Sequence, residues 1–187
     1  MNLWKYYNNK SNQLKYPDLN NHSHEIEIAK TNSKWAFEYV SKHGKDEDLE
    51  PAIAKSVKYS YFYAKNILRG PFKLGEKAIA TRDSLALQYA KWVKGPFKLG
   101  EPIFAKTAFF AFEYASVVLK GPFKLGEKAI AKSDHRSFAY AKEILKGPFK
   151  LGEPIIAKDE YYSKEYTQEV LKKDFYLGGK LICKYEG

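Results

Sequence analysis

Gly121-Pro122-Phe123-Lys124-Leu125-Gly126-Glu127 is one of four identical copies of a seven-residue stretch; the others begin at Gly70, Gly95 and Gly147. The starts lie 25, 26 and 26 residues apart, which duplication produces and chance does not. A fixed period of this length means a stack of small supersecondary units. The flanks keep the same period. An Ile-Ala-Lys element follows each copy, at Ile79-Ala80-Thr81, Phe104-Ala105-Lys106, Ile130-Ala131-Lys132 and Ile156-Ala157-Lys158. Two earlier copies stand at Ile28-Ala29-Lys30 and Ile53-Ala54-Lys55, and an altered one at Ile182-Cys183-Lys184. Tyrosines recur in step at Tyr39, Tyr63, Tyr89, Tyr114, Tyr140 and Tyr166. The array therefore runs from about residue 24 to 187 as roughly six units, and residues 1–23 stand outside it as an N-terminal cap or arm. Its first and last junctions are degenerate, Gly44-Lys45-Asp46-Glu47-Asp48 and Lys173-Asp174-Phe175-Tyr176-Leu177-Gly178-Gly179, as end repeats facing water should be.

Each unit reads as a helical hairpin. Gly121-Pro122 closes one helix and opens the next, with glycine suited to the left-handed position after a helix. A short first helix is expected over Phe123–Ala131, with Phe123, Glu127, Ile130 and Ala131 on one face and Gly126 as its weak point. The second helix opens with a capping residue seven places before the tyrosine: Asn32, Ser56, Thr107, Ser133 or Asp159, with Asp83 one place late in the remaining unit. Phe138, Ala141, Ile144 and Leu145 then form its apolar stripe, and Lys146 ends it where the helix dipole favours a cation. Alanines after the tyrosines allow close helix approach. No hairpin of this size buries its own apolar face, so neighbours must stack. The expected fold is all-α, an α-solenoid of about six tandem helical hairpins.

Composition supports a packed chain. Hydrophobic residues make up 44% of it and aromatics 16%, which excludes general disorder. The formal charge of +10 suits an acidic or polyanionic partner. A single cysteine, Cys183, excludes an internal disulfide framework and fits a reducing compartment such as the cytoplasm. No apolar stretch is long enough to span a bilayer, and the first residues lack a signal-peptide core.

The pattern Tyr-Ala-x-x-x-Leu-Lys-Gly-Pro-Phe-Lys-Leu-Gly-Glu-x-x-Ile-Ala-Lys resembles short helical repeats in proteins of large tailed bacteriophages. Those usually read Gly-Arg-Phe where this chain has Pro71, Pro96, Pro122 and Pro148. The resemblance covers about 160 residues. It implies a phage protein acting inside a bacterial cell, and it brings no activity or site to transfer.

Several residue sets are candidates for function. Lys73, Lys98, Lys124 and Lys150 hold one place in the unit; Arg69, Lys94, Lys120 and Lys146 hold another, four residues earlier. Such rows can track phosphates with salt-sensitive affinity, although solvated helix-end lysines copied with the unit explain them more simply. The tyrosine ladder offers base stacking; a place at the edge of the hairpin core, with the hydroxyl reaching water or a carbonyl, is the preferred account. The repeated phenylalanines are expected in the core. Glu76, Glu101, Glu127 and Glu153 suggest carboxylate chemistry, but catalytic pairs need unlike environments, which identical repeats do not supply. His22 and His24, with His43 further on, are a weak metal signal, and Cys183 stands where other units bury alanine. The units differ most at the start of the second helix, where Phe109-Phe110 and Tyr161-Tyr162 are plausible interface anchors.

These readings converge on a non-catalytic binding scaffold with no metal and no cofactor. A host protein is the expected partner, and inhibition of a bacterial defence system the expected purpose of a phage protein of this kind. The alternative is a nucleic-acid-binding repeat protein using the lysine rows. No membrane association is expected, and the oligomeric state is left open.

Overall fold

The computed structural model describes residues 22–187, with side chains from Glu25 onward. The cap or arm expected at residues 1–23 lies outside the described residues apart from its last two, which open the first helix. The side chains of His22 and His24 are likewise outside them. The chain divides into two compact units between Val93 and Lys94.

The first unit holds three hairpins among its described residues. α1 (His22–Ala29) pairs with α2 (Ser33–His43). α3 (Glu50–Ile53), entered through a 3₁₀ turn at Glu47–Leu49, pairs with α4 (Val57–Phe62), which continues as a π-helical turn over Tyr63–Leu68. α5 (Glu76–Ile79), entered through a 3₁₀ turn at Lys73–Gly75, pairs with α6 (Asp83–Val93). α2 and α4 each pack on the first helix of the next hairpin and on the next second helix. This is the stacking that a hairpin too small for its own core requires.

The second unit repeats the plan. α7 (Glu101–Phe104) pairs with α8 (Ala108–Glu113), α9 (Glu127–Ile130) with α10 (Asp134–Ala139), and α11 (Glu153–Ile156) with α12 (Glu160–Glu165). Here every second helix ends in a π-helical turn, at Tyr114–Leu119, Tyr140–Leu145 and Tyr166–Leu171. The fold is all-α and repetitive, as its period implies.

Local chemistry explains the element boundaries. The side chains of Asn32, Ser56, Thr107, Ser133 and Asp159 accept amides of the first turn that follows, satisfying groups that the helix leaves orphaned. Asp83 instead stands inside α6 and accepts from the adjacent Ser84 amide at 2.6 Å. The interior glycines are required rather than tolerated. A Cβ on Gly126 would come within 2.5 Å of the Phe123 ring and 2.7 Å of Ala111 Cβ, so the first helix can press onto its neighbour only without one.

Two expectations are corrected. The left-handed residue at each junction is not the glycine but the cation before it: Arg69, Lys94, Lys120, Lys146 and Lys172 have φ between 50° and 55°. At four of the five junctions a π-helical turn precedes the left-handed cation, and Lys94 takes the same conformation after α6, which has none. Ala115 and Ala141 carbonyls take the amides of Lys120 and Lys146 and of the glycines after them, which draws the last turn into a left-handed exit. A non-glycine residue in that region costs about 1–2 kcal/mol.

The second correction is at the C-terminus. The last, altered copy forms no helix; β1 (Phe175–Leu177) pairs antiparallel with β2 (Lys180–Cys183). Gly178 and Gly179, with φ of 56° and 80°, make a two-residue turn whose positive φ values match the twist of a hairpin. Phe175 keeps the seat of the earlier phenylalanines, its ring 5.4 Å from that of Tyr166. Cys183 is half-buried in β2 and not in a core, as are most of the alanines it aligns with, Ala54, Ala80, Ala105, Ala131 and Ala157.

Candidate interaction surface

The most repeated polar groups turn out to be part of the frame. Tyr63, Tyr89, Tyr114, Tyr140 and Tyr166 are fully buried. Each hydroxyl donates to the glutamate thirteen residues earlier, at 2.9 to 3.1 Å, in the first helix of its own hairpin. In four hairpins the same oxygen also accepts the backbone amide of Phe72, Phe97, Phe123 or Phe149, at 2.9 to 3.0 Å. The rings of Tyr63, Tyr114 and Tyr140 meet the edges of the following Phe72, Phe123 and Phe149 at 4.9 to 5.0 Å. The tyrosine thus closes its own hairpin and seats the next one. It lies in the interior, not at the core edge, and its hydroxyl meets a carboxylate and an amide in place of water or a carbonyl. Burial, the largest cause, pushes the Tyr114 and Tyr140 phenols up to about 12, and raises the other three as well.

The lysine rows separate into two kinds. Lys73, Lys98, Lys124 and Lys150 each bind the glutamate three residues on, at 2.9 to 3.1 Å. The same glutamate accepts from tyrosine, so this row is charge-compensated within the repeat. Arg69, Lys94, Lys120 and Lys146 are exposed and carry no ion pair among the described residues.

The variable surface is where the second unit gathers its aromatics. Phe109 and Phe110 sit edge to face on α8 at 5.1 Å, with Phe109 48% exposed. The Arg136 guanidinium of α10 lies over Phe109 at 4.9 Å and near Phe112 at 5.5 Å. His135 and Phe138 of α10 each stand 5.9 Å from Tyr162 of α12. Tyr162 in turn meets Tyr161, which is 64% exposed, at 5.1 Å. The four aromatics singled out in the sequence therefore belong to one ribbon crossing three helices. Phe109 and Tyr161 are its outward members, while Phe110 and Tyr162 are half-buried supports. In the first unit Phe37 stacks on Tyr59 at 5.3 Å at the corresponding helix positions.

Sequence reasoning placed His135 and Arg136 on the variable helix start without singling them out as anchors, and missed Phe112 and Phe138 as bridging members. His135 and Arg136 stand five and four residues before the repeated tyrosine, as Phe109 and Phe110 do, and Phe112 and Phe138 share the place two before it, so aligning the units on that tyrosine reveals them. It also missed Leu74, Leu99, Leu125 and Leu151, which the repeat keeps identical and leaves about half exposed. Among the described residues no cluster of three His, Cys, Asp or Glu side chains is placed to hold a metal ion. No helix among them is long and apolar enough to cross a membrane. Comparison with family models, curated proteins and solved structures gives no match.

Proposed function

We propose that the protein is a non-catalytic scaffold that recognises a host protein through the aromatic ribbon of its second unit. One observation carries this reading: the frame is repeated, and the surface on which the repeats diverge is where Phe109, Arg136 and Tyr161 come together. Large aromatics and arginine in a partly desolvated patch are the residues that dominate protein interfaces. The carboxylates and phenols that would be needed for acid–base chemistry are taken up, repeat after repeat, by the same frame hydrogen bonds. The repeat's likeness to phage sequences supports a phage protein working in the bacterial cytoplasm. Inhibition of a defence system is the purpose proposed for it.

Single-stranded nucleic acid is the second reading, favoured by one specific feature. Lys106, Lys132 and Lys158 are exposed, carry no ion pair among the described residues, and precede the ribbon residues of their helices by three places. Lysine interleaved with aromatics is the pattern of a strand-binding surface. Affinity capture from bacterial lysate, with and without nuclease, separates the two. A discrete protein retained after digestion is the expected result. Recovery of nucleic acid, with proteins lost on digestion, would overturn the first reading in favour of the second.

A further inference from the structure

The second unit has another surface, at the opposite end of its second helices, where the repeats do not diverge. Each junction presents a left-handed cation, Lys120 or Lys146, and five residues later an exposed leucine, Leu125 or Leu151, which are 56% and 51% exposed. Buried residues stay alike across repeats because packing demands it. These side chains pack little, and the exposed positions of the neighbouring helices have diverged to phenylalanine, histidine and tyrosine at Phe109, His135 and Tyr161. The left-handed backbone itself would prefer glycine or asparagine. All five such positions carry lysine or arginine instead, and the last, Lys172, keeps its cation where the Gly-Pro after it has been lost.

We infer that this junction edge docks an extended acidic polypeptide segment that also carries apolar side chains. The cations are uncompensated: Lys120, Lys146 and Lys172 have no ion pair among the described residues, unlike the lysines four residues after each of Lys120 and Lys146. The π-helical turns Tyr114–Leu119, Tyr140–Leu145 and Tyr166–Leu171 pack in succession, so their terminal cations follow one another along one end of the unit. Between the last two turns lies a cleft of about 310 Å³, lined by Lys142, Lys146, Gly147, Glu169, Val170 and Lys172. Glu169, its acidic member, is held by Lys142, which leaves Lys146 and Lys172 facing outward. Packed helices lie about 8–10 Å apart. Every third side chain of a polyproline-like strand recurs at about 9 Å, so acidic residues at that period meet successive cations. The leucines decide between polyanions. A phosphate backbone has nothing to cover them, whereas apolar side chains between the acidic ones do.

The test is fluorescence anisotropy of the full chain with two labelled probes: a synthetic peptide of about five Glu-Leu-Ser triplets, extended at about 3 Å per residue, and a duplex DNA. The triple variant Lys120→Asn, Lys146→Asn, Lys172→Asn removes the charges with a residue that accepts the left-handed backbone. Its melting temperature should not fall. The peptide is expected to bind the wild type, to lose about tenfold or more in the triple variant, and to lose severalfold in Leu125→Gln, Leu151→Gln. Phe109→Ser should leave peptide binding unchanged, which keeps this edge distinct from the ribbon. Peptide affinity unaltered by the triple variant would overturn the inference. So would duplex binding tighter than peptide binding and indifferent to the leucines, which would assign the edge to nucleic acid.

Discussion

At the scale of single residues, the repeated tyrosine is the centre of the account. Tyr140 joins Glu127 and the Phe123 amide within its hairpin and presses its ring on Phe149 of the next. Tyr140→Phe keeps the ring and orphans the buried amide, and is expected to destabilise the protein by about 1–3 kcal/mol in denaturant titration. The same tyrosines give a pH dependence. An unfolded phenol ionises near 10, while Tyr114 and Tyr140 in the folded protein are held up to about 12. The folded state thus keeps its protons longer. Their contribution is complete below pH 10 and is lost as pH rises from 10 to 12. Denaturation midpoints measured between pH 9 and 11 should fall, and fall less steeply in Tyr140→Phe. The period of the tyrosines was legible in the sequence, and their depth was not. A tyrosine near a core edge and one at its centre have the same spacing; only the partner thirteen residues back, itself a repeated glutamate, distinguishes them.

At the scale of elements, the hairpins were legible because capping residue, apolar stripe and glycine all agree on one helix-turn-helix reading. The junctions were less so. Sequence alone points to glycine as the left-handed residue, but that conformation falls one place earlier, on the cation, whether the helix ends in a π-helical turn as before Lys120 and Lys146 or without one as before Lys94. The C-terminal hairpin carried a sequence signal, Gly178-Gly179 between Tyr176-Leu177 and Leu181-Ile182, which the repeat period obscured. Its role is visible in Phe175, which is buried and occupies the seat offered by Tyr166. Its strand is held by the C-terminal hairpin, in which Phe175 stands opposite Cys183. Phe175→Ala should therefore cost about 3–5 kcal/mol. Hydrogen exchange should show the loss first in α12 and the strands, with α7 little affected.

At the scale of the whole molecule, charge and repetition sort the surface by use. The formal +10 overstates the cation available to a partner, because Lys73, Lys98, Lys124 and Lys150 are each tied to a glutamate of their own repeat. Divergence between repeats, readable from the sequence, located the aromatic ribbon. Its continuity was not readable, since Arg136 joins Phe109 only when α8 and α10 pack side by side. The claim that the frame is structural and the ribbon binds is tested most directly by one paired measurement: partner capture after nuclease treatment, alongside melting temperature, for Phe109→Ser with Tyr161→Ser. Both residues are outward-facing, so the melting temperature should hold within about 2–4 °C, the equivalent of about 1 kcal/mol in a chain of this length. The captured protein should be lost or weakened about 30-fold, the effect of removing about 2 kcal/mol of interface anchor. Capture of the same protein at undiminished strength by this folded double variant would contradict the account.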